Sequence, residues 1–435
     1  MAALCRAAAT SPRPRFLKLV PGGHDVYRVS RMNQFTRRVL FLLFFLSGFC
    51  SLVYQVVWTR LAFATFGIIT PVLSVVLSVF MLGLAVGAWA GGLFIASLVE
   101  RTGLSAVAFY AGAELVIGLG AFAVPKLFAA GGNFLLAAGE TDSFGYLSWS
   151  ALVLAVAILP WCVFMGATFP LMMAYVRERD GQNTGSFSFL YLANVLGAMS
   201  GTILTAVVLV EVFGFHHTLR IAAAGNFTIA GTSIWLGWKQ RKSAAPGIPD
   251  ETVPAALPDP PPSGQPRTRF AQWILFSTGF CAMAMEVIWT RTFTPILKTQ
   301  VYSFALVVFT YLGATFLGSW WYRHHRKKNS CWSVGALLAL LMATVILPIL
   351  ANDPRLVHID WMHTIDIPSA VIVLASICPF CAGLGYLTPS LIDEYAAGNP
   401  AVAGKAYAIN VLGCILGPLF ACYVVLPEIG ERYAL

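Results

Sequence analysis

Two glutamates and one pair of cysteines are the residues of this sequence whose types and positions could do chemistry. Glu114 and Glu286 each lie inside a long run of apolar residues. An ionisable side chain within a lipid bilayer is energetically costly and commonly marks an ion or substrate pathway. A carboxylate in that position can bind a cation or carry a proton. The alternative is a structural role, in which the carboxyl group hydrogen-bonds to a neighbouring helix.

Glu286 belongs to a segment that occurs twice in the chain. The two segments share the same residue types at identical spacing: Gly48-Phe49-Cys50, Gln55, Trp58, Thr59 and Arg60, then Gly279-Phe280-Cys281, Glu286, Trp289, Thr290 and Arg291. Gln55 therefore occupies the position of Glu286 without carrying its charge. A symmetric scaffold with one working site would show such an asymmetric pair, so both residues are candidate substrate-binding residues.

Arg60 and Arg291 end the two matching segments. Each follows Gln55 or Glu286 by a helical rotation of about 140°, so a salt bridge within the helix is not expected. We interpret both arginines as interfacial anchors whose charged ends reach the lipid headgroups. Direct contact with a substrate is the alternative, which keeps both among the candidate site residues.

Two asparagines complete the set of candidate substrate-binding residues. Asn194 and Asn410 each begin the sequence Asn-Val-Leu-Gly inside an apolar run. The interpretation that the sequence favours is an interhelical hydrogen bond at a crossing of small residues. Substrate binding is the alternative.

The cysteine pair Cys378-Pro379-Phe380-Cys381 has the spacing of a redox-active motif. Its counterpart in the first half of the chain has Leu159 in place of Cys378 and Cys162 in place of Cys381. The motif therefore depends on the one additional cysteine, Cys378, which is there either by chance or because it has a function. Thiol redox chemistry stays an alternative. No histidine has an acidic or cysteine partner at metal-ligand spacing, so we expect neither a metal site nor a cofactor.

The composition predicts the environment of these residues. Hydrophobic residues make up 58% of the 435 positions, charged residues make up 11%, and the mean hydropathy is +0.75. Soluble domains are usually about a quarter charged, so we expect an all-α polytopic membrane protein. Eleven stretches have the roughly 20 apolar residues that a spanning helix needs: 39–59, 71–98, 104–124, 146–176, 187–210, 215–238, 270–290, 301–322, 331–351, 367–392 and 406–426.

The distribution of Lys and Arg predicts the orientation. With the N-terminus in the cytoplasm, the inner segments contain 21 of the 28 basic residues, as the positive-inside rule requires. The net charge of +9 is thus explained by topology, and it gives no reason to expect nucleic-acid binding. We expect the protein in the inner (cytoplasmic) membrane of a bacterium, with the bilayer as its surroundings.

Internal repeats predict the domain organisation. Besides the segment around Glu286, Pro160-x-Cys162 recurs as Pro379-x-Cys381, and the two Asn-Val-Leu-Gly runs recur at matching places. A repeat after an even number of helices preserves orientation, as in transporters of the major facilitator type. We therefore expect four regions: a basic cytoplasmic tail (1–38), a first six-helix repeat (39–238), a Pro-rich cytoplasmic linker (239–269) and a second, incomplete repeat (270–435).

The same repeat predicts which helix the chain lacks at its C-terminal end. Glu428 and Gly430 nearly match Glu211 and Gly214, which precede the sixth helix of the first half. A twelfth helix should begin there, and it is missing from the chain as written. We therefore expect Leu435 on the outer face of the membrane.

The motifs together resemble the membrane portion of the fused MFS/spermidine synthase proteins of bacteria. The resemblance covers roughly residues 35–435 and rests on these segments: Ser47-Gly48-Phe49, Tyr54 to Arg60, the glycines Gly83, Gly87, Gly91 and Gly92, Glu114-Leu115, Gly166 to Pro170, and Asn194 to Gly197. In that family a cytosolic domain similar to spermidine synthase commonly follows. No segment after residue 269 reads as a soluble α/β domain.

Three functions are consistent with these patterns. The first is a transporter-like module, with an MFS-like fold, that handles polyamines or another small cation, alone or with a spermidine-synthase-like soluble partner. The second is the membrane half of an aminopropyltransferase whose catalytic domain is not in this chain. The third is a membrane thiol redox carrier that uses Cys378 and Cys381.

Overall fold

The computed structural model describes residues 34–67, 70–137, 143–180, 186–243, 266–297, 300–353 and 367–434. Every regular element within these ranges is a helix, so the all-α prediction is confirmed for this part of the chain. Most of the predicted tail, most of the linker and Leu435 lie outside the described residues. The proposed boundaries of these regions, and the position of the C-terminus, therefore stay predictions.

The described residues form twelve helices, joined in two places by a short π-helical turn. In chain order they are α1 (Gln34–Phe66), α2 (Thr70–Thr102), α3 (Ala106–Ala137), α4 (Ser143–Asp180), α5 (Ser186–Leu204), α6 (Val210–Ser243), α7 (Pro266–Leu297), α8 (Gln300–Lys327), α9 (Val334–Thr344 and Ile346–Ala351), α10 (Ile367–Ala396), α11 (Pro400–Phe420) and α12 (Leu426–Ala434).

Ten helical runs in the described ranges are long and apolar enough to cross a membrane, whereas eleven spans were expected. The difference arises because the predicted spans 187–210 and 215–238 lie in one continuous helical run, Ser186–Lys239. A straight helix of that length would extend roughly 80 Å, far more than a bilayer core of about 30 Å. The run must therefore cross the membrane twice.

A glycine reverses the chain within this run. Gly214 has φ +70° and ψ 175°, a conformation that few residues other than glycine adopt. Gly197 before it lies against Phe45 of α1, and Gly225 after it lies against Cys50 of α1. Since both contacts fall within one short stretch of α1, α5 and α6 each pass along α1 in opposite directions, and no loop separates the two spans.

The second half repeats this backbone arrangement. A π-helical turn precedes the glycine in both halves, at Thr205–Leu209 before Gly214 and at Ala421–Val425 before Gly430. Gly430 has φ +73° and ψ 171°, nearly the values of Gly214. The predicted match between Gly214 and Gly430 is thus present in the backbone itself.

Helix packing repeats as well. A side chain at Gly197 would overlap the carbonyl oxygen of Phe45. In the second half, a side chain at Gly413, the repeat mate of Gly197, would overlap the carbonyl oxygen of Phe276, the repeat mate of Phe45. In the same way, Gly48 lies against the backbone of Asn194, and Gly279 lies against that of Asn410. The pairs α1–α5 and α7–α11 are therefore packed alike, which confirms the predicted parallel repeat.

The two halves meet mainly along two helix pairs, α2 with α11 and α5 with α8. In the first pair, Gly92 lies against the start of α11, and the Ser78 hydroxyl donates to the Ile415 carbonyl at 2.9 Å. In the second pair, Gly313 faces Met199. We call the side on which α1 and α5 begin, and on which α8 and α10 end, the inner face; the charge bias predicts that it is cytoplasmic.

The close helix contacts predict a large effect of a single methyl group. Gly197→Ala should destabilise the protein by about 1–3 kcal/mol because the added carbon meets the Phe45 backbone, which cannot move aside. Gly112→Ala in α3 is the matched control, since nothing lies within 4 Å of a Cβ there. Thermal unfolding in detergent measures both, and a Gly197→Ala variant as stable as Gly112→Ala would contradict the expectation.

Candidate substrate site

Glu286 lies in α7 and is 4% exposed, so its side chain does not face lipid. Its carboxyl group is within electrostatic range of Tyr311 in α8, Cys381 in α10 and Cys414 in α11. Four helices of the second half therefore converge on this one acidic residue. A thiol, a second thiol and a phenol provide polar but uncharged surroundings for it.

Tyr311 extends this cluster to the first half of the protein. It lies close to Tyr191, which is in α5 across the seam between the halves. Tyr191 stacks on Phe187 with ring centroids 5.7 Å apart. The cluster around Glu286 thus reaches the inter-half region, where alternating-access proteins bind their substrates.

An aromatic layer lies between this cluster and the inner face. Phe169 packs against Phe187 at 5.3 Å and against Tyr407 of α11 at 5.4 Å, so the layer joins both halves. Phe187 is the second residue of α5, and Tyr407 is in the second turn of α11. The rings therefore close the space between the halves on the inner side of Glu286.

The carboxyl group of Glu286 has no hydrogen bond to any residue that the structure describes. Glu114, the other candidate acid, differs completely. Its Oε1 accepts a hydrogen bond from the Ser47 hydroxyl at 2.6 Å, and its Oε2 accepts one from the Asn226 amide at 2.6 Å. Glu114 is fully buried, and Asn226 in turn accepts a hydrogen bond from Tyr54 at 2.8 Å.

The Glu114 network connects α1, α3 and α6 within the first half. Both carboxylate oxygens are occupied by protein donors, which is how proteins stabilise a buried acid. The structure therefore separates the two glutamates: Glu114 holds three helices together, whereas the Glu286 carboxyl group has no comparable donor among the described residues. It does not bring Glu114 into the cluster around Glu286.

The Glu114 network gives a second stability prediction. Glu114→Leu should cost about 1–3 kcal/mol for each buried donor that it leaves without an acceptor, here Ser47 and Asn226. Glu114→Gln should cost much less because its carbonyl oxygen keeps the Asn226 hydrogen bond and the Ser47 hydroxyl can rotate to accept. Thermal unfolding of the two variants checks this, and equal losses would argue against a network role.

The repeat mates of the Glu286 cluster are less polar. By the repeat spacing, Gln55 corresponds to Glu286, Cys162 to Cys381, Ala198 to Cys414 and Phe80 to Tyr311. Gln55 itself is 5% exposed, and its side-chain amide, like the Glu286 carboxyl group, has no hydrogen bond within the described part of the chain. The polar groups that suit a charged ligand are therefore concentrated in the second half.

The other candidates are used mainly for packing. The Asn410 amide donates to the Leu275 carbonyl at 2.7 Å, which ties α11 to α7. Asn194 lies against Gly48 in the equivalent contact of the first half. These positions agree with the interhelical interpretation of both asparagines.

The two arginines are placed differently from each other. The Arg60 side chain is only 10% exposed, and its Nη1 lies 3.6 Å from Glu211 Oε1 at the start of α6. It does not extend along a lipid-facing surface, so the anchor interpretation is wrong for Arg60. Burial beside an acid on another helix could not be read from local hydropathy. Arg291 is exposed, as an interfacial anchor would be.

The cysteine pair lies in the middle of α10. Cys381 is fully buried, and Cys378 is half-buried with its thiol donating to the Leu374 carbonyl at 3.5 Å. Both are free thiols. Among the residues that the structure describes, no three His, Cys, Asp or Glu side chains are grouped as a metal site would require.

Sequence reasoning missed an ionic cluster at the inner face. Asp393 near the end of α10 is 3% exposed, and its Oδ2 lies 2.6 Å from Arg326 Nη1 at the end of α8. Its Oδ1 accepts a hydrogen bond at 3.3 Å from the backbone N–H of Ser188 in α5. Arg323 donates to the Ser188 hydroxyl at 2.8 Å. We call these four residues the inner latch, since they join the two halves.

The inner latch has no polar counterpart at the matching seam. By the repeat spacing, Ser188 corresponds to Gly404, and Arg323 corresponds to Gly92. At that place Gly92 only packs against the backbone of α11, with a Cβ position 3.1 Å from the Pro400 carbonyl oxygen. A sequence comparison of the repeats at these two positions would have found the polar substitution.

Comparison with known proteins agrees with this architecture. No protein-family model and no curated protein sequence matches the chain. Solved structures do match at TM-scores just above 0.5. The nucleoside transporter NupG has a TM-score of 0.52 and 13% identity, over 93% of this chain and 95% of that one.

Two further transporters show the same likeness. The proton:xylose symporter XylE has a TM-score of 0.53 and 13% identity, over 92% of this chain and 91% of that one. A bacterial homologue of the iron transporter ferroportin, in an outward-facing state, has a TM-score of 0.53 and 12% identity, over 92% and 94%. Together with the helical repeats and the seams α2–α11 and α5–α8, these matches show that the chain has the major facilitator superfamily fold.

Proposed function

We propose that this protein is a membrane transporter of a small cation, which binds between the halves with its charged group on Glu286. The observation that carries the proposal is a carboxyl group, 4% exposed, that has no hydrogen bond within the described residues. A buried charge needs a counter-charge or a donor. A cationic substrate, or a proton when the site is empty, would supply it.

The closed inner face supports an alternating-access mechanism. The aromatic layer and the inner latch both join the halves on one side of Glu286. In parallel-repeat transporters, one half rocks against the other around a fixed site. The described arrangement corresponds to the state in which the inner side is shut, and transport requires the latch to open.

The class of cation follows from the chemistry of the cluster. One carboxylate with phenol rings nearby suits an ammonium group, since aromatic faces attract cations. Polyamines or related small amines therefore fit best. Four of the solved structures with this fold belong to proteins whose names give nucleosides, fucose, xylose or iron as substrates. The amine assignment thus rests on Glu286 and on the motif resemblance.

The other functions have narrower support. An association with a spermidine-synthase-like domain, including the role of membrane half of an aminopropyltransferase, rests on the motif resemblance alone. Redox transfer through Cys378 and Cys381 rests on spacing, and both thiols lie within a continuous helix. Neither has a structural feature comparable to the carboxyl group of Glu286.

Uptake into proteoliposomes tests the proposal. Radiolabelled putrescine and spermidine should enter in a saturable manner and compete with each other, whereas xylose and uridine should neither enter nor compete. Protein-free liposomes and the same protein after heat denaturation are the controls. Folded protein that takes up no amine, or a neutral solute that enters regardless of added amines, would refute a cation transporter.

A further inference from the structure

The seam between α2 and α11 is a contact between two backbones. A Cβ at Gly404 of α11 would lie 2.5 Å from the carbonyl oxygen of Ala88 in α2. A Cβ at Gly92 of α2 would lie 3.1 Å from the carbonyl oxygen of Pro400 in α11. Farther toward the outer face, the Ser78 hydroxyl donates to a backbone carbonyl of α11. Small residues let membrane helices approach this closely, and van der Waals packing then holds them together.

The seam between α5 and α8 is bridged instead by the ends of side chains. At the inner face, Arg323 Nη1 donates to the Ser188 hydroxyl at 2.8 Å. Near the middle of the seam, a Cβ at Gly313 would lie 3.2 Å from the sulfur of Met199, which is the end of a flexible side chain. Rotation of these side chains can break such contacts, so this seam can part without pulling one backbone away from another.

The difference matters because the two seams are equivalent in the repeat. Ser188 corresponds to Gly404, and Arg323 corresponds to Gly92. Parting the two glycines would lose close packing and would release no charged group to water. Parting the inner latch would let its ionic groups become hydrated, which offsets part of the lost ion pair. The Arg326 side chain is already 32% exposed. The asymmetry therefore favours opening at α5 and α8.

We propose that the inner face opens on one side only. The inner latch breaks and α5 parts from α8, whereas α2 and α11 stay in contact and act as the hinge. A substrate on Glu286 then leaves to the inner side between α5 and α8, past Phe187 of the aromatic layer. This inference rests on the alternating-access part of the proposed function, but it does not depend on which substrate is carried.

Distances between spin labels, measured by double electron–electron resonance on the full chain in lipid nanodiscs, test the hinge. Labels carried on p-acetylphenylalanine leave the nine cysteines unchanged. The gate pair replaces Arg38 of α1, which packs against α5, and Lys327 at the end of α8. The hinge pair replaces Glu100 near the end of α2 and Lys405 in α11. All four residues are exposed.

Breaking the latch should move only the gate pair. Asp393→Asn should raise the ratio of long to short gate distances about tenfold, as expected for the loss of a hydrogen bond between charged groups. Ser188→Ala removes only the hydroxyl that Arg323 contacts, and it should raise the same ratio about fivefold even if Asp393→Asn does not fold. The hinge distance should stay single and unchanged in both variants.

Glu114→Gln is the matched control, because it changes a buried acid that lies within the first half. We expect it to change neither distance, and a gate shift equal to that of Asp393→Asn would show general loosening and overturn the proposal. Equal lengthening of the gate and hinge pairs would show symmetric opening and overturn the hinge. No lengthening of the gate pair in either latch variant would overturn the gate. Because no substrate is added, these results are separate from a failure of amine uptake.

Discussion

Glu286→Gln should abolish the uptake of a cationic substrate while the protein folds and purifies as the wild type does. The substitution removes the negative charge and keeps the size and a hydrogen-bonding group. Removing one partner of a buried ion pair costs about 3–5 kcal/mol, which corresponds to a loss of affinity of more than about 100-fold. Uptake of labelled amine into proteoliposomes, with thermal unfolding measured in parallel, provides the two readouts.

Glu114→Gln is the matched control for this experiment. It makes the same chemical change at the other buried glutamate, which already has two protein donors. We expect Glu114→Gln to keep amine uptake within a few-fold of the wild type. Wild-type uptake by Glu286→Gln would refute the substrate-binding role of the Glu286 carboxylate. Loss of uptake in both variants would remove the distinction between a substrate-binding glutamate and a structural one.

Arg326→Gln should destabilise the protein more than Asp393→Asn does, although both break the same ion pair. The Asp393 side chain is 1% exposed, whereas that of Arg326 is 32% exposed. Without Arg326, a carboxylate remains buried beside the backbone N–H of Ser188, at a cost of about 3 kcal/mol or more. Without Asp393, the guanidinium group can turn toward water or headgroups. Apparent melting temperatures in detergent give the comparison.

The double variant Arg326→Gln/Asp393→Asn makes this prediction sharper. If Arg326→Gln loses stability because the Asp393 carboxylate stays buried without its cationic partner, then neutralising Asp393 in the same protein should restore part of that stability. Residues in direct contact show such non-additive effects, commonly of roughly 0.5–3 kcal/mol. Equal losses in the two single variants, or a double loss equal to their sum, would argue against a buried ionic latch between the halves.

The sequence alone determined the environment and the repeat of this protein. Hydropathy and charge bias are local properties of each segment, so they predicted the membrane helices without knowledge of how these pack. The repeat was visible because the close contacts of Gly48 and Gly279 need the same small residue at the same spacing in both halves. The boundary between α5 and α6 was predicted in the right place, but a loop was expected where Gly214 reverses one continuous run.

The tertiary structure decided the roles of the charged residues. Glu114 and Glu286 are alike in sequence context, and only the packing of α1 and α6 against α3 gives Glu114 its donors Ser47 and Asn226. Asp393 and Arg326 are far apart in the chain, and both lie just beyond the ends of the predicted spans, where charged residues are common. Only the packing of α8 against α10 places them in an ion pair. Local pattern cannot reveal such partners, because the free energy of a buried charge depends on neighbours that only the folded bundle supplies.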